Sequence, residues 1–370
     1  MGVDARGAGL LRSRSDLDED DVRVRAGRAS RPRTRRRPAH EGAAEAFVVT
    51  VERGRYGCLI ADGTVTGAED GRMVTAMKAR ELGRNSVVVG DRVALAGDTS
   101  GAPGTLARIV RVEERISVLR RSPDDSDPLE RIVVANAEQM VIVCALADPA
   151  PHLRFVDRCL VAAYDAGLDP LLVLTKSDLA SPRQVRGFYR PLGLPMISTR
   201  QPLPPQTISR LRRALDGRVS VLIGQSGVGK STLVNELVPA ADRAVGAVNP
   251  VTGRGRHTSS SAVALRLPRQ PAPGRRRGAA PSDPDATDPG PADPGWLIDT
   301  PGVRGFGLGH VTVDRVVEAF GDLTEGTAGC PPGCDHLSED CGLDEWAREH
   351  DAVARLDSLR RLLSSRDSAD

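Results

Sequence analysis

Residues 224–232 read Gly-Gln-Ser-Gly-Val-Gly-Lys-Ser-Thr, and this stretch decides the fold class. It follows the apolar run Val219–Ile223 and leads into Leu-Val-Asn-Glu-Leu at 233–237, which predicts strand, glycine loop and helix in succession. The spacing matches G-x-x-x-x-G-K-[ST], a loop whose backbone N–H groups cradle phosphate. Glycine permits the tight curl, and the positive end of the helix attracts anions. An ordinary glycine-rich turn is the alternative, and the flanking strand and helix disfavour it.

Two residues of this loop carry most of its expected chemistry. Lys230 is expected to reach the β and γ phosphates of a nucleotide and to act in catalysis, and Ser231 is expected to hold Mg²⁺. The remaining positions offer backbone N–H groups to phosphate oxygens. The predicted phosphate-binding residues are Gly224, Gln225, Ser226, Gly227, Val228, Gly229, Lys230, Ser231 and Thr232.

A second motif, Thr175-Lys176-Ser177-Asp178, follows the apolar run at 170–174. It fits [NT]-K-x-D, in which the aspartate accepts hydrogen bonds from guanine N1–H and the 2-amino group. Adenine lacks this pair of donors, so Asp178 would select GTP over ATP. Lys176 would lie over the base, and the hydroxyl of Thr175 would brace the loop. The tetrapeptide is common alone, but at the end of a strand in a chain with a phosphate loop it predicts a guanine site.

Two further segments are candidates for nucleotide contact. The short predicted strand at 195–199 ends in Ser198 and Thr199, which could back the guanine ring. Residues 253–261 are rich in glycine and hydroxyl groups, as expected for a mobile switch. Thr258 in this segment would close on Mg²⁺ when the γ-phosphate is present.

The last nucleotide motif is Asp-Thr-Pro-Gly at 299–302, which fits D-x-x-G after an apolar strand. Asp299 is expected to position Mg²⁺ through a water, and the amide of Gly302 to sense the γ-phosphate. The order is unusual, because the base motif precedes the phosphate loop and D-x-x-G comes last. Ordinary GTPases run from phosphate loop to D-x-x-G to [NT]-K-x-D, so the sequence predicts a circular permutation. The D-x-x-G motif then leads directly into the C-terminal region, so the bound nucleotide can change the position of that region.

A metal-ligand pattern lies near the C-terminus, where Cys330, Cys334, His336 and Cys341 form C-x3-C-x-H-x4-C. Three thiolates and an imidazole suit one tetrahedral Zn²⁺, and four protein donors leave no open position, so we expect a structural site. An accidental cluster is the alternative, but half of the six cysteines lie within twelve residues. Helical periodicity follows at 343–363, with arginines that would face either phosphate or solvent: Arg355, Arg360 and Arg361.

The length and charge of the chain limit the classes of protein to which it can belong. The chain has 370 residues and a formal net charge of +2, so it is long enough for two or three domains and is no polycation as a whole. Eight arginines within 23–37 indicate either a solvated tail or an arm that contacts a phosphodiester backbone. The N-terminus has no apolar signal core, and no apolar run reaches the length of a membrane span. We therefore expect a cytoplasmic protein with no membrane partner.

The remaining patterns divide the chain. Five short β-like runs, punctuated by Gly and Asp, lie at 47–51, 56–60, 86–89, 92–95 and 107–112. Their spacing predicts an OB-like barrel, a fold often used on nucleic acid, although a purely structural cap is also compatible. A polar linker at about 120–130 then precedes the α/β pattern. The expected domains are a disordered Arg-rich arm at 1–43, an OB-like β-barrel at 44–120, a circularly permuted α/β P-loop GTPase domain at 130–321 with a disordered insertion at 268–295, and a zinc-binding helical domain at 322–370.

Together these features resemble a known family. The barrel, the permuted motifs Thr-Lys-Ser-Asp, Gly-Gln-Ser-Gly-Val-Gly-Lys-Ser, Gly-Arg-His-Thr and Asp-Thr-Pro-Gly-Val-Arg-Gly-Phe, and the Cys/Cys/His/Cys module are similar to the RsgA (YjeQ) family. The resemblance covers about residues 45–365, with a slightly short zinc spacing and a long insertion. It implies a Mg²⁺-dependent GTPase stimulated by the 30S ribosomal subunit, contact with 16S rRNA, late checking of the decoding region, and help in releasing other assembly factors. We further expect a monomer with one Zn²⁺.

The resemblance also bears on catalysis. Ras-like enzymes carry a glutamine after D-x-x-G that orients the attacking water, whereas this chain has Val303, which predicts slow intrinsic turnover. His257, in the switch segment, is the candidate to orient this water or accept its proton. A plain RNA or backbone contact is the alternative role for His257.

Three functions compete at this level. The first is a ribosome-activated GTPase, and the second is a nucleotide-gated RNA-binding module in which hydrolysis is incidental. Stimulation of turnover by small subunits distinguishes them. The third is a metabolic P-loop kinase with a zinc site, which would use ATP; Asp178 argues against it.

Overall fold

A computed structural model of the chain describes residues 42–61, 71–83, 87–121, 131–239, 262–268, 294–301, 308, 310–338 and 340–366. Most of the Arg-rich arm and most of the insertion at 268–295 therefore lie outside the described residues. The thirteen strands within these ranges are β1 Ala44–Glu52, β2 Arg55–Ile60, β3 Arg72–Lys78, β4 Arg92–Gly97, β5 Ala107–Val112, β6 Val118–Arg121, β7 Arg131–Ala135, β8 Gln139–Ala145, β9 Asp169–Thr175, β10 Met196–Ser198, β11 Val219–Ile223, β12 Val263–Arg266 and β13 Trp296–Asp299. The α-helices there are α1 Leu153–Asp165, α2 Arg183–Tyr189, α3 Pro205–Leu215, α4 Lys230–Leu237, α5 Val313–Glu318, α6 Gly321–Thr324, α7 Leu343–Glu349 and α8 Val353–Arg366.

The first five strands close into a small barrel, in the order β1-β2-β3-β5-β4 with β4 returning to β1. Alternate residues point inward, and the core includes Val48, Cys58, Val74, Val93 and Ile109, each at most 2% exposed. This confirms the predicted barrel, because strands with one buried face must close on a shared core.

One barrel strand was wrongly predicted. The run at 86–89 contributes only an isolated bridge from Val89 to Val134 among its described residues. The third strand is instead Arg72–Lys78, whose buried residues alternate with exposed ones. Asp91 explains the difference, because its carboxylate accepts from the Val88 N–H and from Arg115, which holds this buried stretch in a turn.

A parallel sheet forms the second part of the fold, with the order β10-β9-β8-β11-β13 followed by antiparallel β12. All seven residues of β8 are buried, as a strand covered on both faces requires. Helix α1 packs in the apolar cluster on one face, and α3 and α4 pack in the cluster on the other. Thr50 of β1 pairs with Val263 of β12, so the barrel and the α/β layer share one eleven-stranded sheet.

The order in which successive strands join this sheet reverses between β8 and β11. Strands β8, β9 and β10 succeed one another toward one edge, and β11 then returns to the opposite side of β8. The helices that follow β8 and β11 consequently lie on opposite faces. Such a switch point opens a crevice at the carboxyl ends of the strands, where ligands of α/β proteins bind.

Two other predictions need correction. Arg120 and Arg121 lie in β6, which pairs with β7, and not in a linker. The periodicity at 343–363 belongs to two helices, α7 and α8, separated at 350–352, where Asp351 has a φ of 55°. Side-chain periodicity continues across the break because both helices bury leucines in one core.

The three arginines of this region have neither of the predicted roles, which were contact with phosphate and exposure to solvent. Arg355 bonds Asp322, Arg360 bonds both carboxylate oxygens of Asp344 at 2.7 Å, and Arg361 bonds Asp157 at 3.2 Å. They hold α8 against the rest of the protein rather than facing phosphate or solvent alone. None of the helices in the described ranges has both the length and the apolar composition that a bilayer crossing needs.

Candidate active site

The phosphate loop joins the end of β11 to the start of α4. Gly229 has a φ of 95°, and a Cβ on Gly224 would lie 2.7 Å from the carbonyl oxygen of Val143. The tight curl therefore requires glycine at both positions, one for its conformation and the other for its proximity to β8. The loop lies against the switch point between β8 and β11, as the βα geometry of phosphate loops requires.

Lys230 is the first residue of α4, and its side chain turns back into the loop. Its Nζ donates to the carbonyl oxygens of Gly224 and, at 3.0 Å, of Gln225. Burial lowers the pKa of Lys230, and the nearby Asp299 carboxylate opposes this shift. The ammonium group is thus held inside the curl of the loop, where it can meet phosphate oxygens.

The guanine motif follows β9 and contacts the phosphate loop directly. The Thr175 hydroxyl donates to the carbonyl oxygen of Val228 at 2.7 Å, and the Thr175 side chain would lie within 3.8 Å of a Cβ on Gly229. Thr175 is only 5% exposed, so the hydrogen bond is shielded from water. One side chain therefore fixes the two nucleotide motifs relative to each other, although they lie 53 residues apart in sequence.

The loop after β10 supports the same motif from its other side. The Ser177 N–H donates to the Thr199 carbonyl at 2.9 Å, and the Asp178 Oδ1 accepts from the Gln201 N–H at 3.2 Å. The Oγ of Ser198 is buried without a hydrogen-bond partner within the described part of the chain. Lys176 has a φ of 58°, and its Nζ donates to the Asp148 carbonyl. The candidates Ser198 and Thr199 thus adjoin the motif they were expected to support.

The third motif arrives on β13, directly beside β11. Leu222 pairs with Asp299, and the Thr300 hydroxyl donates to the Leu222 carbonyl at 2.8 Å. Asp299 consequently lies at the same sheet edge as the phosphate loop, close enough to influence Lys230 electrostatically. The remaining predicted residues, His257, Thr258 and Gly302, lie outside the described residues.

The distribution of lysine along the sequence supports a particular role for the lysines of the nucleotide motifs. Only three of the 51 lysines and arginines are lysine: Lys78, Lys176 and Lys230. Two of the three are in the nucleotide motifs. In a chain that uses arginine almost everywhere, lysine remains where a compact ammonium on a flexible stem is needed.

The predicted metal ligands come together in the structure. One donor atom from each of Cys330, Cys334, His336 and Cys341 lies within 4.8 Å of the others. The Cys330 and Cys341 sulfurs are 3.8 Å apart, and His336 Nδ1 lies 3.6 and 3.5 Å from them. A tetrahedron with Zn–S bonds of about 2.3 Å has edges of ~3.8 Å, so these donors fit a single small cation. Burial, as the main cause, raises the pKa of Cys341 to about 12 and lowers the pKa of His336.

Comparison with known proteins agrees with this geometry. The family model described as "RsgA GTPase" matches residues 112–272. A Pseudomonas aeruginosa (strain LESB58) protein named "Small ribosomal subunit biogenesis GTPase RsgA" is 35% identical over 294 residues, covering 77% of each chain. The protein of that name from Azotobacter vinelandii (strain DJ) is 35% identical over 80% of this chain and 81% of its own. The chain belongs to the RsgA family. This confirms the resemblance predicted from the motifs.

Two solved structures share the RsgA fold. YjeQ from Thermotoga maritima superposes with a TM-score of 0.57 at 21% identity, over 87% of this chain and 98% of its own. The structure titled "YloQ, a circularly permuted GTPase" superposes with a TM-score of 0.57 at 16% identity, over 90% and 97%. The predicted architecture of barrel, permuted GTPase fold and C-terminal Cys/His cluster is therefore confirmed.

Proposed function

We propose that this protein is a GTPase that acts in biogenesis of the small ribosomal subunit and hydrolyses GTP to GDP and phosphate. The observation that carries the proposal is the contact between Thr175 and Val228, which joins a guanine motif to a phosphate loop at one sheet edge. The two motifs occur in the permuted order of the RsgA family, whose curated members carry this function in their name. The chain belongs to that family, which supports both the activity and the subunit as partner.

Guanine selection in this proposal belongs to Asp178, supported by Thr175, Lys176, Ser177 and Ser198. The Asp178 carboxylate accepts only one hydrogen bond from a backbone N–H among the described residues, so it retains acceptor capacity for the two guanine donors. Ser198 Oγ offers a further buried polar atom beside the base motif. The arrangement disfavours adenine, because the Asp178 carboxylate would then lack the two donors that guanine offers.

Phosphate binding belongs to residues 224–232, with Lys230 meeting the developing charge on the γ-phosphate. Ser231 and Asp299 would hold Mg²⁺, which when bound neutralises charge on the phosphate oxygens. The proposal also gives Thr258 and Gly302 contacts near the γ-phosphate, and His257 the orientation of the attacking water. Zn²⁺ would occupy the Cys/His cluster as a structural ion. The further partners proposed are 16S rRNA and other assembly factors, with the protein acting as a cytoplasmic monomer.

Turnover with and without purified small subunits tests the function. Because Val303 cannot orient water, we expect slow basal hydrolysis and stimulation of at least about tenfold by subunits. Lys230→Arg is the control, since a guanidinium cannot replace the compact ammonium inside the loop; it should lose about 100-fold or more in stimulated rate. Subunit binding without any stimulation of the wild-type protein would instead favour the nucleotide-gated binding module.

Base selection has its own test. Asp178→Asn converts a double acceptor into a group that can pair with the 2-oxo edge of xanthine, so GTP affinity should fall about 100-fold while xanthosine triphosphate affinity rises. Competition binding with a fluorescent guanine nucleotide measures both. A variant that lost affinity for both nucleotides equally, with an unchanged melting temperature, would argue against guanine reading by Asp178.

A further inference from the structure

The stretch between Asp178 and Asp216 has an unusual charge pattern. It contains seven arginines and no aspartate or glutamate. At the chain's overall frequency of 49 acidic residues in 370, about five would be expected there. The seven arginines are Arg183, Arg186, Arg190, Arg200, Arg210, Arg212 and Arg213. This positive segment is internal to the α/β region and separate in sequence from the arginines at 23–37.

The fold places this segment around the free edge of the sheet. Among the described strands, β10 lies at the end of the sheet and pairs only with β9. Helix α2 buries Val185 and Tyr189 in the apolar cluster of one face, whereas α3 buries Leu211 and Leu215 in the cluster of the other. The helices therefore flank β10 from opposite sides of the sheet, and Arg186 of α2 donates to the Met196 carbonyl of this edge strand.

The arginines divide into structural and exposed ones. Arg186 donates to the Met196 carbonyl at 3.4 Å and Arg212 to the Glu236 carbonyl at 3.5 Å, so both help to pack the helices. Arg213 donates to the Ser209 carbonyl of its own helix at 3.4 Å. The four others are exposed, and their side chains form neither an ion pair nor a hydrogen bond with any described residue. We call them the edge arginines: Arg183, Arg190, Arg200 and Arg210.

Some arginines elsewhere on the described surface have a carboxylate partner. Arg111 pairs with Glu113, Arg218 with Asp169, Arg315 with Asp165, and Arg355 with Asp322. Exposed arginines in or beside the barrel strands, such as Arg80, Arg92 and Arg108, also have no side-chain partner among the described residues. The edge arginines differ from these because their whole segment contains no carboxylate, so a polyanion would meet positive charge alone there. Guanidinium groups bind phosphate with two parallel hydrogen bonds, and helix-mounted ones hold a fixed spacing.

We propose that the edge arginines form a surface that binds the phosphate backbone of RNA, apart from the barrel and the nucleotide site. RNA is favoured over an acidic protein because the proposed function places this chain on an RNA-rich particle, and the inference rests on that function for the identity of the RNA. Phe188, 37% exposed on α2, is the only large aromatic side chain exposed in this segment. Contacts are therefore to phosphate and not to stacked bases, and the surface is independent of sequence.

The test uses the full-length protein in GDP and a labelled RNA duplex of about 20 base pairs with an unrelated sequence. One variant carries Arg183→Gln, Arg190→Gln, Arg200→Gln and Arg210→Gln. The matched control removes the same charge at four arginines outside the segment. Arg111→Gln, Arg218→Gln and Arg315→Gln remove arginines with a carboxylate partner, and Arg348→Gln removes one that donates to the Asp344 carbonyl oxygen. The arginines at 23–37 are present in both. Melting temperature and GDP affinity, measured on each, verify that folding and the nucleotide site are intact.

We expect the edge variant to bind the duplex at least about tenfold more weakly at 0.1 M salt, with the slope of log Kd against log salt reduced by about 3, because each phosphate contact contributes ~0.7 to 0.9. The control should retain most of its affinity and slope. Equal losses in both variants, or no loss in either, would overturn the proposal. If polyglutamate bound as tightly as RNA, and if the edge variant lost this binding, the surface would be assigned to an acidic protein. This duplex assay needs no ribosomal subunit. A failure of the proposed subunit-stimulated hydrolysis can therefore be distinguished from a failure of the proposed RNA-binding surface.

Discussion

The nucleotide motifs take their positions from strands β9, β11 and β13, whereas the four candidate metal ligands near the C-terminus lie in a stretch with almost no regular structure. In the first region, main-chain pairing along the parallel strands β9, β8, β11 and β13 brings Thr175, Val228 and Asp299 to one edge. In the second, Cys330, Cys334, His336 and Cys341 converge through tight turns and the start of α7. The first site is therefore held by strand pairing, whereas we expect the second to depend on the metal ion proposed for it.

The largest expected effect is removal of the metal. Cys341→Ser should lose the bound ion, here taken as zinc, and unfold the region of α7, because structural zinc contributes about 10–16 kcal/mol in isolated zinc-finger peptides. Guanine nucleotide affinity should change little, since β-strand pairing holds that site. Metal analysis and hydrogen exchange over 330–350 measure the two effects. The control is Cys58→Ala, at a buried position of the barrel, and this variant should retain the metal at the Cys/His cluster. If metal-free wild-type protein still protected its amides over 330–350, the metal would not be what holds this region.

The next effect concerns the helix that joins the two regions. Arg361 of α8 bonds the buried Asp157 of α1 and lies 4.1 Å from the centre of the Phe188 ring. Arg361→Met leaves the carboxylate buried without its charge partner and should cost about 3–5 kcal/mol of unfolding free energy. Arg348→Met, at an exposed position of α7, should cost less than about 0.5 kcal/mol.

The pH dependence of this variant follows from Asp157. Burial raises the pKa of Asp157 despite the opposing Arg361 charge, and removing Arg361 raises it further. The folded state then binds a proton that the unfolded state has released, so stability is lost as pH rises from the unfolded pKa through the folded one. Denaturant unfolding should show a smaller deficit at pH 5 than at pH 7.5. A deficit that grew on acidification would exclude this explanation.

The smallest effect sharpens the description of the nucleotide edge. Thr175→Val removes the hydroxyl that bonds Val228, which should cost about 1 kcal/mol and weaken GTP binding about fivefold. Thr175→Ser keeps the hydroxyl and serves as the control. Isothermal titration with GDP gives both affinities. Equal binding by the Val and Ser variants would mean that strand pairing alone fixes the two motifs.

The main elements of the α/β sheet were predictable because a parallel strand covered on both faces shows up as an apolar run, as in 139–145 and 219–223. The metal cluster was predictable because its ligands are close in sequence. The run at 86–89 was misread since its apolar content comes from burial between the barrel and β7, not from membership of a strand. Arg355, Arg360 and Arg361 were misjudged because their partners are remote in sequence, at Asp322 and Asp157, or on the neighbouring helix, at Asp344.

The sequence by itself determined which chemical groups this protein presents, since motif spacing dictates what a strand end or a turn can offer. These groups are the carboxylate proposed for guanine, the lysine proposed for phosphate, and the four candidate ligands for one metal ion. Only the tertiary structure decided how these parts are joined. Three features connect parts of the chain that are remote in sequence: the hydrogen bond between Thr175 and Val228, the ion pair between Asp157 and Arg361, and the arginine-rich helices on either side of β10. Such contacts depend on strand order and helix packing, which local patterns do not encode.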